Sequence, residues 1–210
     1  MKSFKMLAIA TIILFSYSGI NAQSCTINCP ANMVVKADAG QEGATVNYNL
    51  ATTTGDCGQL TYTPASGTFF RLGSHSVTVT NATGQKCSFT VTVTDNEAPT
   101  LSPITLSRTN IWPASDKLKK VAVYYTTSDN GQNTSAVLSV SSNDTESNLK
   151  DFEVVNDHLI RVKASRLPSG APRIYTITVT ATDDAGNKTT RSTSIAVSKT
   201  MVAVTAPAAK

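Results

Sequence analysis

Beyond residue 24, Val, Ile, Tyr and Phe recur at every second position in short runs, with Thr and Ser between them and Gly, Asn, Asp and Pro at the run ends. A period of two sends successive side chains to opposite faces of a strand, so each run reads as a half-buried β-strand. In CSFTVTVTD, Cys87, Phe89, Val91 and Val93 share one face, and Ser88, Thr90, Thr92 and Thr94 share the other. The preceding SVTVT repeats the pattern with Val77 and Val79. Asn81-Ala82-Thr83-Gly84-Gln85 is rich in turn formers, so the two runs should pair as a hairpin. No run sustains a helical spacing, and the expected fold class is all-β.

Further strands are expected at Leu118 to Thr127 with Val121, Val123 and Tyr125 inward, and at Ala136 to Ser142 with Leu138 and Val140 inward. Another should run from His158 to Ala164 with Ile160, Val162 and Ala164 inward. Setting SVTVTNATGQ (76–85) beside TVTATDDAGN (178–187) aligns Val77 with Val179, Val79 with Ala181 and Gly84 with Gly186. This repeat implies two homologous sandwiches, the second with Tyr175, Ile177, Val179 and Ala181 on one face and Ile195 and Val197 on the return strand. About seven strands per ~100 residues is an immunoglobulin-like density. The boundary should fall at Asn96-Glu97-Ala98-Pro99, where proline stops the ladder.

The first residues change the picture of where such a chain works. Lys2 and Lys5, an apolar run from Met6 to Tyr17 and small residues before Gln23 read as a secretory signal peptide over 1–22. Its apolar run falls short of the ~20 residues that span a bilayer. Cys25 is too far from Ala22 to be lipidated after the cut, so the mature chain is expected without an anchor or membrane span of its own. Removing 1–22 takes away two lysines and leaves 16 basic against 14 acidic side chains, a balance too mild to imply nucleic acid or an anionic membrane. The tail at 200–210 has little packing pattern and is expected to be disordered. All four cysteines, Cys25, Cys29, Cys57 and Cys87, lie in the first half, and an even count behind a signal peptide argues for two disulfides rather than a zinc site.

Spaced motifs over about 25–98 resemble the HYR (hyalin repeat) domain: CPANMVV, Gly40-Gln41-Glu42-Gly43-Ala44, Asp56-Cys57-Gly58, SGTFFRLGSHSVTV and CSFTVTVTD. The resemblance implies an extracellular, immunoglobulin-like module associated with adhesion. In that pattern Phe70 fills the sandwich and Gly73 permits the turn into the next strand. Glu42 stands where the family often has a cysteine, which leaves Cys57 without its usual partner and Cys25 to replace it. The pairing implied is Cys29 with Cys87 and Cys25 with Cys57, although four cysteines allow three connectivities. From Ser102 the chain is similar to the bacterial Ig-like domain that often follows HYR units, through Trp112-Pro113, Thr127-Ser128-Asp129-Asn130 and RIYTITVTATDDAGN. The expected organisation is therefore 1–22 signal peptide, 23–98 HYR domain, 99–199 bacterial Ig-like domain and 200–210 tail.

Candidate chemistry is sparse. No triad, carboxylate pair or metal motif suggests catalysis, and no catalytic residue is assigned. His75 and His158 are isolated and read as solvated surface residues, and Trp112 as a core or interdomain residue. Asp56, the pair Asp144 and Glu146 and the pair Asp183 and Asp184 are read first as turn residues. One run is sharper: Asp95, Asn96 and Glu97 precede Ala98-Pro99 and look like the calcium linker of cadherins, with Asp129 and Asn130 or Asp183 and Asp184 as further oxygen donors. The same run also reads as an ordinary strand terminus. Asn81, Asn133, Asn143 and Asn187 head glycosylation sequons. Of Tyr48, Tyr62, Tyr124 and Trp112, Tyr124 alone has an outward phase within its strand. The expectation is a secreted, non-enzymatic adhesion or structural module, extracellular or at a cell surface, binding surface proteins or glycans. The alternative is a carbohydrate-binding accessory or matrix protein.

Overall fold

Alternating residues build strands throughout. In the computed structural model, which describes residues 24–131, 133–144 and 151–199, the described residues form strands and no helix. The expected signal peptide and tail lie outside them.

The first half contains β1 (Thr26–Asn28), β2 (Met33–Lys36), β3 (Gly43–Val46), β4 (Thr52–Thr54), β5 (Thr61–Thr63), β6 (Thr68–Arg71), β7 (Gly73–Thr80) and β8 (Lys86–Thr94). A four-stranded sheet in the order β2-β8-β7-β5 is accompanied by two-stranded ladders β3-β6 and β1-β4. The hairpin β7-β8 sets Val77 opposite Phe89 and Val79 opposite Cys87. Their buried faces meet Ala44, Val46 and Phe70 from the β3-β6 ladder in one core. Cys25–Cys57 and Cys29–Cys87 are disulfide-bonded, with Cα atoms 4.9 and 5.9 Å apart. The second bond ties the segment after β1 to β8 across 58 residues of chain.

The second half contains β9 (Thr100–Leu101), β10 (Thr105–Leu106), β11 (Asn110–Ile111), β12 (Leu118–Tyr124), β13 (Thr127–Ser128), β14 (Thr134–Ser142), β15 (Phe152–Asn156), β16 (Leu159–Lys163), β17 (Arg173–Asp183) and β18 (Lys188–Val197). Sheets β10-β12-β16-β15 and β11-β18-β17-β14 pack face to face, with the small ladder β9-β13 beside them. Val121, Val123, Ile160 and Val162 from one sheet and Tyr175, Ile177, Val179 and Ile195 from the other are fully buried. The two cores share no residue: the first takes its members from Ile27 to Val93, the second from Leu101 to Val197.

Most expected strands are present, with shifted ends. β12 stops at Tyr124, so Tyr125 lies beyond it and is half-buried, and Thr127 pairs with Leu101 as part of β13. Two pairings, β2 with β8 and β11 with β18, are parallel. A period of two carries no information about strand direction.

Candidate metal centre

Hairpins β7-β8 and β17-β18 end in the same five-residue turn. In the first, Asn81 N–H donates to Gln85 O (3.1 Å), Gly84 N–H to Asn81 O (3.1 Å), and the Asn81 side-chain oxygen accepts from Gln85 N–H (2.8 Å). In the second, Asp183 N–H donates to Asn187 O (3.2 Å), Gly186 N–H to Asp183 O (3.2 Å), and Asp183 Oδ1 accepts from Asn187 N–H (2.8 Å). Gly84 and Gly186 both hold positive φ, 86° and 91°, which a side chain would strain. The sequence difference at the first position is thus chemical and not conformational. The turn needs a side-chain oxygen there, and Asn81 supplies it neutral while Asp183 supplies it charged.

That extra charge faces the joint. Carboxylate oxygens of Asp95, Asp129 and Asp183 all lie within 4.8 Å of one another. Asp95 follows β8 of the first sandwich, Asp129 follows β13, and Asp183 closes β17. Each is held by its own loop, because Asp95 Oδ1 accepts from Glu97 N–H (3.0 Å), Asp129 Oδ2 from Gly131 N–H (2.9 Å) and Asp183 Oδ1 from the turn described above. A Cβ on Gly131 would stand 2.9 Å from Asp129 Oδ2 and 3.1 Å from Asp95 Oδ2, so a glycine there lets carboxylates from both sandwiches come together. Beside them opens a cleft of about 420 Å³ lined by Leu72, Val93, Asp95, Asp129, Gly131 and Asp184.

The electrostatics of the cluster are one-sided. Burial opposes ionisation of Asp183, but hydrogen bonds from the Asn187 side chain and from the backbone N–H groups of Asn187, Gly186 and Ala185 outweigh it and hold the carboxyl below the ordinary carboxylate range. Among the described residues, no ion pair joins a lysine or arginine to Asp95, Asp129 or Asp183. Carboxylates this close repel unless a proton or cation lies between them. The donor set suits a hard cation: it is oxygen only, and ligands on opposite sides of a Ca²⁺ at ~2.4 Å would stand ~4.8 Å apart. Next to Asp129, Asn130 holds its Oδ1 buried without a hydrogen-bond partner, while its Nδ2 donates to Gln41 O of the first sandwich (3.0 Å). Zinc is disfavoured because neither cysteine nor histidine belongs to the cluster.

Only part of the expected Asp95-Asn96-Glu97 run gathers here. Asn96 is exposed, and Glu97 turns back so that its Oε2 accepts from Gly40 N–H (2.9 Å), leaving it outside the three-carboxylate group. Alternation along the run allowed Asp95 and Glu97 to share a side, but the chain has left the β8 ladder by then and the alternation no longer applies. Asp184 lines the cleft while its Oδ2 accepts from Asn133 Nδ2 (2.9 Å). Gly131 was not singled out in the sequence. The aligned pair Asn81 and Asp183 was the available signal for a charge that the turn itself does not require.

Other expected positions have different settings. Trp112 is 51% exposed and its indole N–H donates to Lys199 O (3.1 Å), so it is neither a core nor an interdomain residue, because the chain after β18 offers a carbonyl at the surface. His75 is half-buried with its Nε2 on Arg71 O, and exposed His158 stacks on Tyr125 with Nδ1 on Val123 O. Asp144 is an ion-pair partner of Arg173 rather than only a turn residue, and Glu146 lies outside the described residues. The Nδ2 groups of Asn81, Asn133, Asn143 and Asn187, where a glycan would attach, all donate hydrogen bonds within the fold. Tyr48 is buried, and Tyr124 stands 56% exposed.

Residues 21–93 match the HYR domain. The HYR unit is thus the stretch that carries both disulfides and ends two residues before Asp95. Among solved structures, the chain is similar to the N-terminal eight Ig domains of Down Syndrome Cell Adhesion Molecule isoform 1.30.30, with 11% identity over 81% of this chain and 24% of that one and a TM-score of 0.37. It is similar to mouse protocadherin-24 EC1-3 with 14% identity, 80% and 68% coverage and a TM-score of 0.38. Drosophila OTK extracellular domains 3-5 match with 13% identity, 82% and 61% coverage and a TM-score of 0.41. The chain spans about a quarter of the first of these structures. HYR domains are typically non-catalytic modules, and the match over 21–93 suggests an extracellular, adhesion-type setting. No helix among the described residues is long and apolar enough to cross a membrane.

Proposed function

We propose that this chain is a secreted adhesion or structural module of bacterial surface type, a HYR domain over 23–98 joined to an Ig-like domain over 99–199, and that Ca²⁺ bound by Asp95, Asp129 and Asp183 fixes the joint. The observation that carries this reading is the meeting of three carboxylates from the two sandwiches with no lysine or arginine ion-paired to them among the described residues. A cation there neutralises a repulsion that the fold itself creates, and it holds the two partner-binding ends in one relative orientation. Surface proteins or glycans are the partners, met by loops and strand edges on a disulfide-stapled scaffold.

The test is calcium titration of the purified chain by calorimetry, with thermal unfolding in chelator and in excess Ca²⁺. A site that binds the folded state alone stabilises it by about 2.7 kcal/mol when free Ca²⁺ is 100 times Kd. D183N is the informative variant, because Asn81 shows that asparagine sustains this turn in the other sandwich. D183N should keep the turn and stay folded in chelator, and lose the calcium-dependent rise in melting. A parent chain with no heat of binding and no calcium-dependent melting shift would sink the metal reading while leaving the adhesion module standing.

A further inference from the structure

Among the described residues, the edges of the four-stranded sheets are blunted, with one exception. The edge strand β2 is four residues long and ends in Lys36, and β5 is three residues long and is followed by Pro64. The edges β10 and β11 have two residues each, and β11 leads into Trp112-Pro113. Edge strand β15 carries Glu153 and a register break between Val154 and Asn156. These are the devices by which natural sheets discourage pairing at their edges.

Edge strand β14 has none of them. It runs nine residues as Thr-Ser-Ala-Val-Leu-Ser-Val-Ser-Ser, with no charge, no proline and an unbroken register against β17. Its outward row consists of Ser135, Val137, Ser139 and Ser141, with Val137 65% exposed. Among the described residues, no strand pairs with its other side, and β15, at the corresponding edge of the facing sheet, makes no ladder with it.

The geometry points to β14 as the site where a second copy of this chain adds, antiparallel, to make one sheet continuous across two molecules. A second copy fits for three reasons. The strand is uncharged, so self-pairing sets no like charges opposite each other, which would be destabilising. Full overlap of nine residues has a single register, centred on Leu138, with Thr134 opposite Ser142 and Val137 opposite Ser139 of the second copy. In that register Ala136, Leu138 and Val140 stay on the core side in both molecules, so no side chain has to change face. The contact is isologous and closes as a two-fold dimer, leaving no free β14 edge to propagate. It is independent of the metal reading.

Sedimentation velocity of the full chain in chelator, from micromolar to hundreds of micromolar, should show the average mass climbing from one chain towards two. V137K/S139K puts lysine opposite lysine at both pairs that flank Leu138 and should stay at one chain throughout, with melting close to the parent's at concentrations where the parent is itself a single chain, since both positions are exposed. V137C and S139C should cross-link across the dimer when mixed and not when incubated singly, because position 137 faces 139. Their Cα separation in an antiparallel pair, ~4.5–5.5 Å, suits a disulfide. A parent chain that stays at one copy at every concentration overturns the proposal. So does a dimer that survives the lysine pair, or cross-linking no greater in the mixture than in the single variants.

Discussion

Arg173 carries its guanidinium into an almost dry corner of the second sandwich, with its side chain 6% exposed between Asp144 (2.7 Å) and Asp151 (2.8 Å). Asp151 also receives Lys163 at 3.4 Å, and its backbone carbonyl accepts the Tyr175 hydroxyl. Removing one partner of a buried ion pair leaves the other charge uncompensated, which typically costs about 3–5 kcal/mol. Since Asp144 would remain, D151N should fall near the lower end, read as a lower midpoint in urea unfolding. Burial opposes ionisation of Asp151, but the hydrogen bond and charge of Arg173, and then Lys163, more than offset it, so the folded carboxyl titrates below its unfolded value. The stabilisation is then complete above the unfolded pKa of ~3.9 and is lost as pH falls through the folded pKa. Melting of the second sandwich should be level from neutral to mildly acidic pH and fall steeply below about pH 4, with a shallower acid slope in D151N. Trp112, the chain's one tryptophan, belongs to that sandwich, so its fluorescence follows the transition. Little of this was legible in the sequence. Asp144 read as a turn residue, Asp151 drew no notice, and what makes them partners of Arg173 is a fold that brings positions 144, 151 and 173 together at one end of the sheets.

At the level of elements, alternation does its work wherever one face of a strand is buried and the other wet. β8, β17 and the ends of β7 and β18 that hold Val77 and Val79 and Ile195 and Val197 were readable because Val, Ile, Phe and Tyr mark one face and mostly Thr and Ser the other. Short elements such as β9, β10 and β13 hold only two residues each, too few to display a period, and their pairing depends on what lies opposite. Gly43 shows a different limit: a Cβ there would sit 2.1 Å from Phe70 O, so the position demands glycine because β6 crosses close by, a tertiary fact. The disulfides act on the first sandwich alone. Closing 58 residues of chain through Cys29–Cys87 is worth about 4 kcal/mol in the chain-entropy model. Reduction should therefore lower the melting of the first sandwich, seen by far-ultraviolet circular dichroism, while the Trp112 transition of the second stays within a degree or two. A Trp112 transition that fell equally would mean that the two cores unfold as one unit.

On the scale of the whole molecule, the joint is a balance between contacts that close it and charges that open it. Asn130 Nδ2 donates to Gln41 O across the joint (3.0 Å), and Glu97 folds back onto Gly40 N–H (2.9 Å), which braces the connecting chain against the first sandwich. Against them stand three carboxylates within 4.8 Å of one another, one from the first sandwich and two from the second. The neutral Asn130 bond contributes about 1 kcal/mol and a bond to a carboxylate such as that of Glu97 about 1.5–3 kcal/mol, whereas repulsion between charges at such distances in a partly buried site is of comparable or larger size. The orientation of the sandwiches should therefore depend on what neutralises the cluster. Small-angle X-ray scattering in chelator at low salt should give a broader distance distribution and a larger maximum dimension than in Ca²⁺. Raising ionic strength without Ca²⁺ should recover only part of the difference, because the Debye length of ~8 Å at 0.15 M screens groups in the open cleft better than carboxylates already in contact. D129N/D183N, with one carboxylate left, should give the compact curve with or without calcium. Identical curves for the parent chain in both conditions would mean that the hydrogen bonds at Gln41 and Gly40 suffice to hold the joint against the charge of the cluster.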